Sequence, residues 1–162
     1  MMDYRIEIQD AFPIVCKRIK NPSRKELTNA DIAGFWQQCG KDGTIPALCR
    51  YLPEENIFGQ CIVGASFGKD KYPYAIGVCY NGEPVSEKDF TIVEIPAHTY
   101  AVFPCAGKMP EAFQRLYHRV SSEFFPASEY RPCGGTDFEA YPSPDIDDPG
   151  YTCEIWIAVE KK

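Results

Sequence analysis

The chain is short of the residues on which metal, membrane and nucleic-acid chemistry depend. It has two histidines, His98 and His118, in unlike surroundings, and no close CxxC pair, so no metal site is expected. No apolar run approaches the ~18 residues that cross a bilayer, and no membrane partner is expected. Basic charge is in deficit, with 17 Lys and Arg against 23 Asp and Glu and a net charge of -6. A mildly acidic surface repels phosphate backbones, which argues against direct nucleic-acid binding. The one small basic cluster, Lys17, Arg18 and Lys20, reads as a solvated strand end. Residues 1–7 are polar and lack an apolar secretory core, so a cytoplasmic location is expected. Residues 64–68 lack the spacing of a phosphate loop, and no Lys-Ser or Lys-Thr follows. Ser121 and Ser122 lack a nucleophile elbow. No cofactor is implied.

The hydrophobic fraction is 44% and the charged fraction 25%, enough for a sizeable core over 162 residues. One domain spanning 1–162 is therefore expected. The eight cysteines mostly sit inside apolar runs, where cysteine behaves as a small hydrophobe, and free thiols are expected. Cys105 precedes a helix start, where a thiolate is stabilised, but has no clear base partner.

Residues 5–8 and 12–19 read as strands. Pro13 suggests that they form one bent edge strand. Residues 21–25 read as a polar linker. Thr28 with Asp31 matches a capping box, and Ile32, Phe35, Trp36 and Cys39 recur at helical spacing up to a stop at Gly40. Residues 43–55 read as a connection, residues 57–67 as one strand or a bent pair, and residues 74–80 as a strand before the Asn81-Gly82 turn. A second unit starts near Asp89. It has strands at 90–95 and 99–103, a break at Pro104 and Gly107, and a helix opening at Pro110 with Phe113, Leu116, Tyr117, Val120 and Phe124 on its buried stripe. His118 falls beside that stripe and faces solvent. Strands follow at 137–141 and 153–159, separated by a polar loop at 142–150.

The two halves repeat. Phe35-Trp36, Phe58 and Tyr74 recur at a nearly constant spacing in Leu116-Tyr117, Phe138 and Cys153. Each half reads strand, helix, strand, strand, about 3–82 and about 89–160. The expected fold is α+β, a tandem repeat with pseudo-twofold symmetry and a cleft at the junction, where ligand sites are common.

The most informative segment is the last strand. Side chains alternate along a strand, so Cys153, Ile155, Ile157 and Val159 suit packing under helices. Glu154, Trp156 and Ala158 occupy the other face, which reads either as a pocket wall or as an ordinary solvent-facing Glu between core residues. A carboxylate in a dry pocket is costly without a partner, and a cationic ligand would offset that cost. Alternatively, desolvation raises the Glu154 pKa and suits it to acid–base work. Tyr74, Phe103, Phe138, Tyr141 and Trp156 are candidate pocket aromatics. Trp36 and Tyr117 lie on helical stripes that equally suit a core. Tyr100 lies on the face opposite Phe103, and either of the two could point inward.

Residues 74–77, 96–104 with Gly107, 110–125, 137–141 and 153–159 together resemble the GyrI-like small-molecule-binding family, which includes effector domains of AraC-type and MerR-type multidrug regulators and free-standing proteins. The resemblance implies SH2-like strand-helix-strand-strand units with a ligand between them. It also implies that Glu154 attracts cationic aromatic ligands, and Trp156, Tyr74, Phe103, Phe138, Tyr141, Tyr100 and Trp36 are the candidates to line the pocket beside it. Some free-standing members resemble hydrolases that open strained cyclopropane-bearing electrophiles, which would give Glu154 and Tyr141 catalytic roles. A third role implied by the family name is a protein-interaction module such as a topoisomerase inhibitor. The family often has Pro where this chain has Ala158. Its regulators carry a helix-turn-helix that residues 1–20 are too short to supply.

Overall fold

The computed structural model describes residues 2–19, 27–68, 72–143, 145 and 147–162; the expected linker at 21–25 and Lys20 lie outside them. Nine strands form one sheet. They are β1 (Arg5–Gln9), β2 (Phe12–Arg18), β3 (Ile62–Ser66), β4 (Tyr74–Cys79), β5 (Phe90–Ile95), β6 (His98–Ala106), β7 (Tyr130–Pro132), β8 (Asp137–Tyr141) and β9 (Thr152–Lys161). Their order is β1-β6-β9-β8-β3-β4-β2-β5, with β7 also paired to β9. All registered pairs are antiparallel. The helices are α1 (Asn29–Lys41), α2 (Thr44–Cys49) and α3 (Glu111–Arg119), which runs through a π-helical turn (Val120–Phe124) into the short α4 (Phe125–Ala127).

The fold is the pseudo-symmetric α+β arrangement expected from the repeat. β2-α1-β3-β4 and β6-α3-β8-β9 are the two units, and β3 meets β8 at the centre of the sheet. The register there sets Gly64 opposite Glu139. Phe58 therefore has no place as the counterpart of Phe138; it lies before β3 and packs its ring 5.0 Å from that of Phe138. One feature goes beyond a simple tandem. The strand that opens each half pairs with the other half, β1 with β6 and β5 with β2.

Local chemistry explains the boundaries. Thr28 accepts from the Asp31 amide and Asp31 accepts from the Thr28 amide, so the capping box is complete. Gly40 does not stop α1. The helix continues to Lys41, and the left-handed residue is Gly43 at φ 83°. Asp42 accepts from the Thr44 amide (3.0 Å) and hydroxyl (2.6 Å), which starts α2 inside a segment expected to be irregular. β2 is not an edge strand, since β4 and β5 flank it. Pairing with β4 begins only at Ile14, so Pro13 sits past the end of that ladder, and its carbonyl accepts from Tyr80. Pro104 does not end β6 for a related reason: β1 stops opposite Val102. Of the basic cluster, Lys17 is largely covered and bridges Asp42 and Asp89, and Arg18 lies over the Phe67 ring at 4.7 Å.

The sheet has two unlike faces. One is covered by α1 over Val15, Tyr74, Ile76 and Val78, and by α3 and the π turn over Ala101, Phe103, Ile155 and Ile157. The other packs Phe58, Tyr100, Phe138 and Trp156 against residues outside the helices. Among the described residues, no helix is long and apolar enough to cross a membrane.

Candidate functional site

Direct cross-strand pairing places residues on shared faces. Ile76, Gly64, Glu139, Ile155 and Phe103 form one row across the sheet under the helices. Glu139 is the charged member of that row, and it is 8% exposed. Its partners come from both halves. Tyr74 on β4 donates to Glu139 Oε1 at 3.3 Å, and Tyr141 on β8 donates to the same oxygen at 3.4 Å. Trp36 on α1 donates from Nε1 to Tyr74 Oη at 2.8 Å and meets the Tyr141 ring edge-on at 5.2 Å. Tyr117 on α3 is half-buried, and its phenol pKa is raised by burial first and by the Glu139 charge second.

Gly64 makes room for this arrangement. A Cβ at that position would stand 2.8 Å from Glu139 Oε2 and closer still to Tyr74 Oη. The glycine is required by the approach of these side chains rather than by its own backbone.

Burial raises the Glu139 pKa to about 7; hydrogen bonds from Tyr74 and Tyr141 oppose the rise, and the charge of Asp137 adds to it. Asp137 lies two places earlier on the same strand. Burial raises it to about 6, although it accepts from the Ala158 amide at 2.8 Å. Among the described residues, Glu139 has no basic partner in an ion pair. The centre of the molecule thus holds a carboxyl poised near neutrality, contacted by Tyr74 and Tyr141, with Trp36 against both of those rings.

The eight residues singled out from sequence divide between the two faces. Trp36, Tyr74 and Tyr141 converge on Glu139. Phe103 shares the helix face but is fully buried against Phe124 at 4.9 Å. Glu154, Trp156, Phe138 and Tyr100 occupy the opposite face. Trp156, Phe138 and Tyr100 are core there, 0–1% exposed. Glu154 is neither free nor dry. Arg5 on β1 donates to both of its oxygens, at 2.6 and 3.2 Å, while the guanidinium lies 5.4 Å from the Trp156 ring centre. The Trp156 indole N–H also reaches Glu154, at 3.3 Å, and about a third of the Glu154 side chain is exposed. The carboxylate expected to await a cation therefore already has one from its own chain.

Glu139 and Gly64 were not singled out. The alternation in Asp137-Phe138-Glu139-Ala140-Tyr141 could have revealed Glu139, because Tyr141 and Glu139 share a face from which Phe138 is excluded. His98 is half-buried, with its ring 5.9 Å from Tyr100 and Nδ1 4.0 Å from Cys133 Sγ. His118 is exposed as expected. Among the described residues, no group of three or more His, Cys, Asp or Glu is placed to hold a metal ion.

Comparison with known proteins agrees with this architecture. A Staphylococcus aureus MU50 protein assigned to transcription regulation superposes with a TM-score of 0.75 at 22% identity, covering 99% of both chains. SAV2435, solved bound to tetraphenylphosphonium, gives a TM-score of 0.75 at 22% identity over 98% of this chain and 94% of its own. The integron cassette protein Cass2 from the mobile metagenome of Vibrio cholerae gives 0.59 at 21% identity over 97% and 95%. No curated protein matched. Residues 5–159 match the sequence pattern of Cass2, integron-associated effector binding protein. With that match over nearly its whole length, the chain belongs to the Cass2 family of integron-associated effector-binding proteins, a GyrI-like family.

Proposed function

We propose that this protein binds a small amphipathic, cationic aromatic molecule between α1 and α3, with Glu139 as the countercharge. The observation that carries the reading is a nearly buried carboxyl, held by the Tyr74 and Tyr141 phenols with Trp36 bonded to Tyr74, and lacking a basic partner among the described residues. A cation there gains a charged contact in a low-dielectric site and ~0.5–2 kcal/mol from each well-placed ring face. Trp36 and Tyr141, in edge contact, would part to admit it. The ligand bound to SAV2435, tetraphenylphosphonium, has the chemistry this site calls for. The reading places the protein in the cytoplasm, where a reducing environment disfavours permanent disulfides.

Calorimetric titration with tetraphenylphosphonium tests the proposal. A cation selects the ionised carboxyl, so binding below pH 7 requires Glu139 to lose a proton first. With a free-state pKa of about 7, affinity is expected to rise roughly 30-fold from pH 5.5 to pH 8 by proton linkage. An uncharged tetraphenyl analogue should show no such rise. Affinity that is flat across this range, or equal for the neutral analogue, counts against the proposal.

A second reading, hydrolysis of a strained electrophile, draws on the same carboxyl. A Glu with a pKa near 7 beside two phenols can give or take a proton at neutral pH. Turnover of a cyclopropane-bearing electrophile that is lost in Glu139→Gln would favour it over simple binding. A ligand role for Glu154 requires Arg5 to leave, and direct comparison of the two carboxylates decides between them.

A further inference from the structure

We propose that Cys105 and Cys153 form a reversible disulfide when the folded protein meets a hydroperoxide. The two residues are directly opposed in the β6–β9 ladder. Opposed residues in an antiparallel pair project from the same face, with Cα atoms ~4.5–5.5 Å apart. That spacing lies inside the ~4.4–6.8 Å window of protein disulfides, so the bond needs no rearrangement of the sheet. Both side chains belong to one apolar cluster with Met109, Ala112 and Tyr151. The six other cysteines have no such cross-strand relation in the registered pairs.

Both cysteines are buried, and the approach to Cys105 is by a groove. An opening of about 380 Å³ between β6 and α3 is lined by Pro104, Cys105, Ala106, Leu116 and two arginines, Arg115 and Arg119. A peroxide fits such a space, and positive charge favours the thiolate, which is the reactive form. The neighbouring Cys153 thiol and the Arg115 charge lower the Cys105 pKa against the effect of burial. Cys105 lines the groove and Cys153 does not, so Cys105 is the attacking thiol and Cys153 the resolving one.

The steps balance with the hydroperoxide as oxidant. The Cys105 thiolate attacks one peroxide oxygen, the O–O bond breaks, and a sulfenic acid forms while the other oxygen takes up the proton released when Cys105 ionised and leaves as water or alcohol. The Cys153 sulfur then attacks the Cys105 sulfur. The S–S bond forms as the S–O bond breaks, and the departing hydroxide takes the Cys153 proton and leaves as water. Two thiols lose two electrons in total and the peroxide gains them. The bond would pin β6 to β9 beside Tyr141, which shares this cluster.

The test is a thiol map of the native full-length chain after one equivalent of hydrogen peroxide, with free thiols blocked before digestion without reductant. The expected result is one dominant linked peptide pair carrying Cys105 and Cys153 that disappears on reduction. Cys105→Ser and Cys153→Ser should each abolish it, and Cys49→Ser should leave it intact. The wild-type map decides alone if a Ser variant fails to fold. No linkage in the native chain, or equal yields of other pairs, overturns the proposal. Tetraphenylphosphonium binding is read on separate samples, so neither result depends on the other.

Discussion

Glu139→Gln is expected to weaken tetraphenylphosphonium binding by roughly 10- to 100-fold, the worth of ~1.5–3 kcal/mol for a contact to a charged group. The substitution keeps the shape of the side chain and its acceptor for Tyr74 and Tyr141, so the surrounding contacts at 3.3 and 3.4 Å survive. Only the capacity for negative charge is lost. The rise of affinity with pH should vanish in the same variant. Glu154→Gln is the informative control, because Glu154 lies on the other face of the sheet and is bound by Arg5. Its loss should alter affinity by less than about threefold, within the ~0–1 kcal/mol of a partly exposed pair. If instead Glu154→Gln produces the large loss and Glu139→Gln the small one, the ligand lies on the non-helical face, and the assignment made here is reversed.

Stability should fall as pH rises from 5 to 8, the reverse of the usual trend on the acid side of neutrality. The folded state raises Glu139 from 4.5 to about 7, so it binds a proton more tightly than the unfolded chain does. The stabilisation is fully present below the unfolded value and is lost as pH passes through the folded one. At ~1.4 kcal/mol per unit, the loss across this window is ~3 kcal/mol. Asp137, raised from 3.8 to about 6, acts in the same direction over a lower range. Asp31, Asp42 and Glu87 are lowered by hydrogen bonds from Thr28, Thr44 and Tyr51, so their contributions are lost in the opposite sense, as pH falls. The expected optimum is therefore mildly acidic. Urea denaturation at pH 5, 6.5 and 8 measures the slope. Glu139→Gln should reduce it to the smaller contribution of Asp137, and a wild-type slope that is level or rising over this range contradicts the placement of Glu139 in a dry site.

Much of the fold could be read from residue patterns with local causes. The Thr28–Asp31 capping box depends on four consecutive residues, and the structure contains it. The alternation of residues 153–159 assigned its two faces correctly, with Ile155 and Ile157 under the helices and Trp156 and Ala158 away from them. What could not be read depends on partners distant in sequence. The exchange of β1 and β5 between halves is decided by which edge is available, and no property of residues 5–9 or 90–95 announces it. α2 begins after Gly43 and contains Pro46, two residues that locally suggest a turn.

The site shows the same division. Trp36, Tyr74 and Tyr141 were identifiable as candidate aromatics, but their meeting point was not. Glu154 drew attention because it interrupts an apolar strand, and the cation that answers it sits on β1, far away in sequence. Glu139 interrupts a strand in the same way, but it lies in a shorter, more polar segment where a Glu looks unremarkable. Its burial follows from Gly64 opposite it and from the two helices overhead, none of which is local.

The central claim is that one buried carboxyl near neutrality meets the ligand's charge. Carbon-13 NMR titration of the Glu139 carboxyl, alone and with saturating tetraphenylphosphonium, tests it most directly. The account predicts a midpoint near pH 7 in the free protein and a clear downward shift in the complex, as a bound cation holds the group ionised. A midpoint in the ordinary glutamate range, unmoved by the ligand, would contradict it.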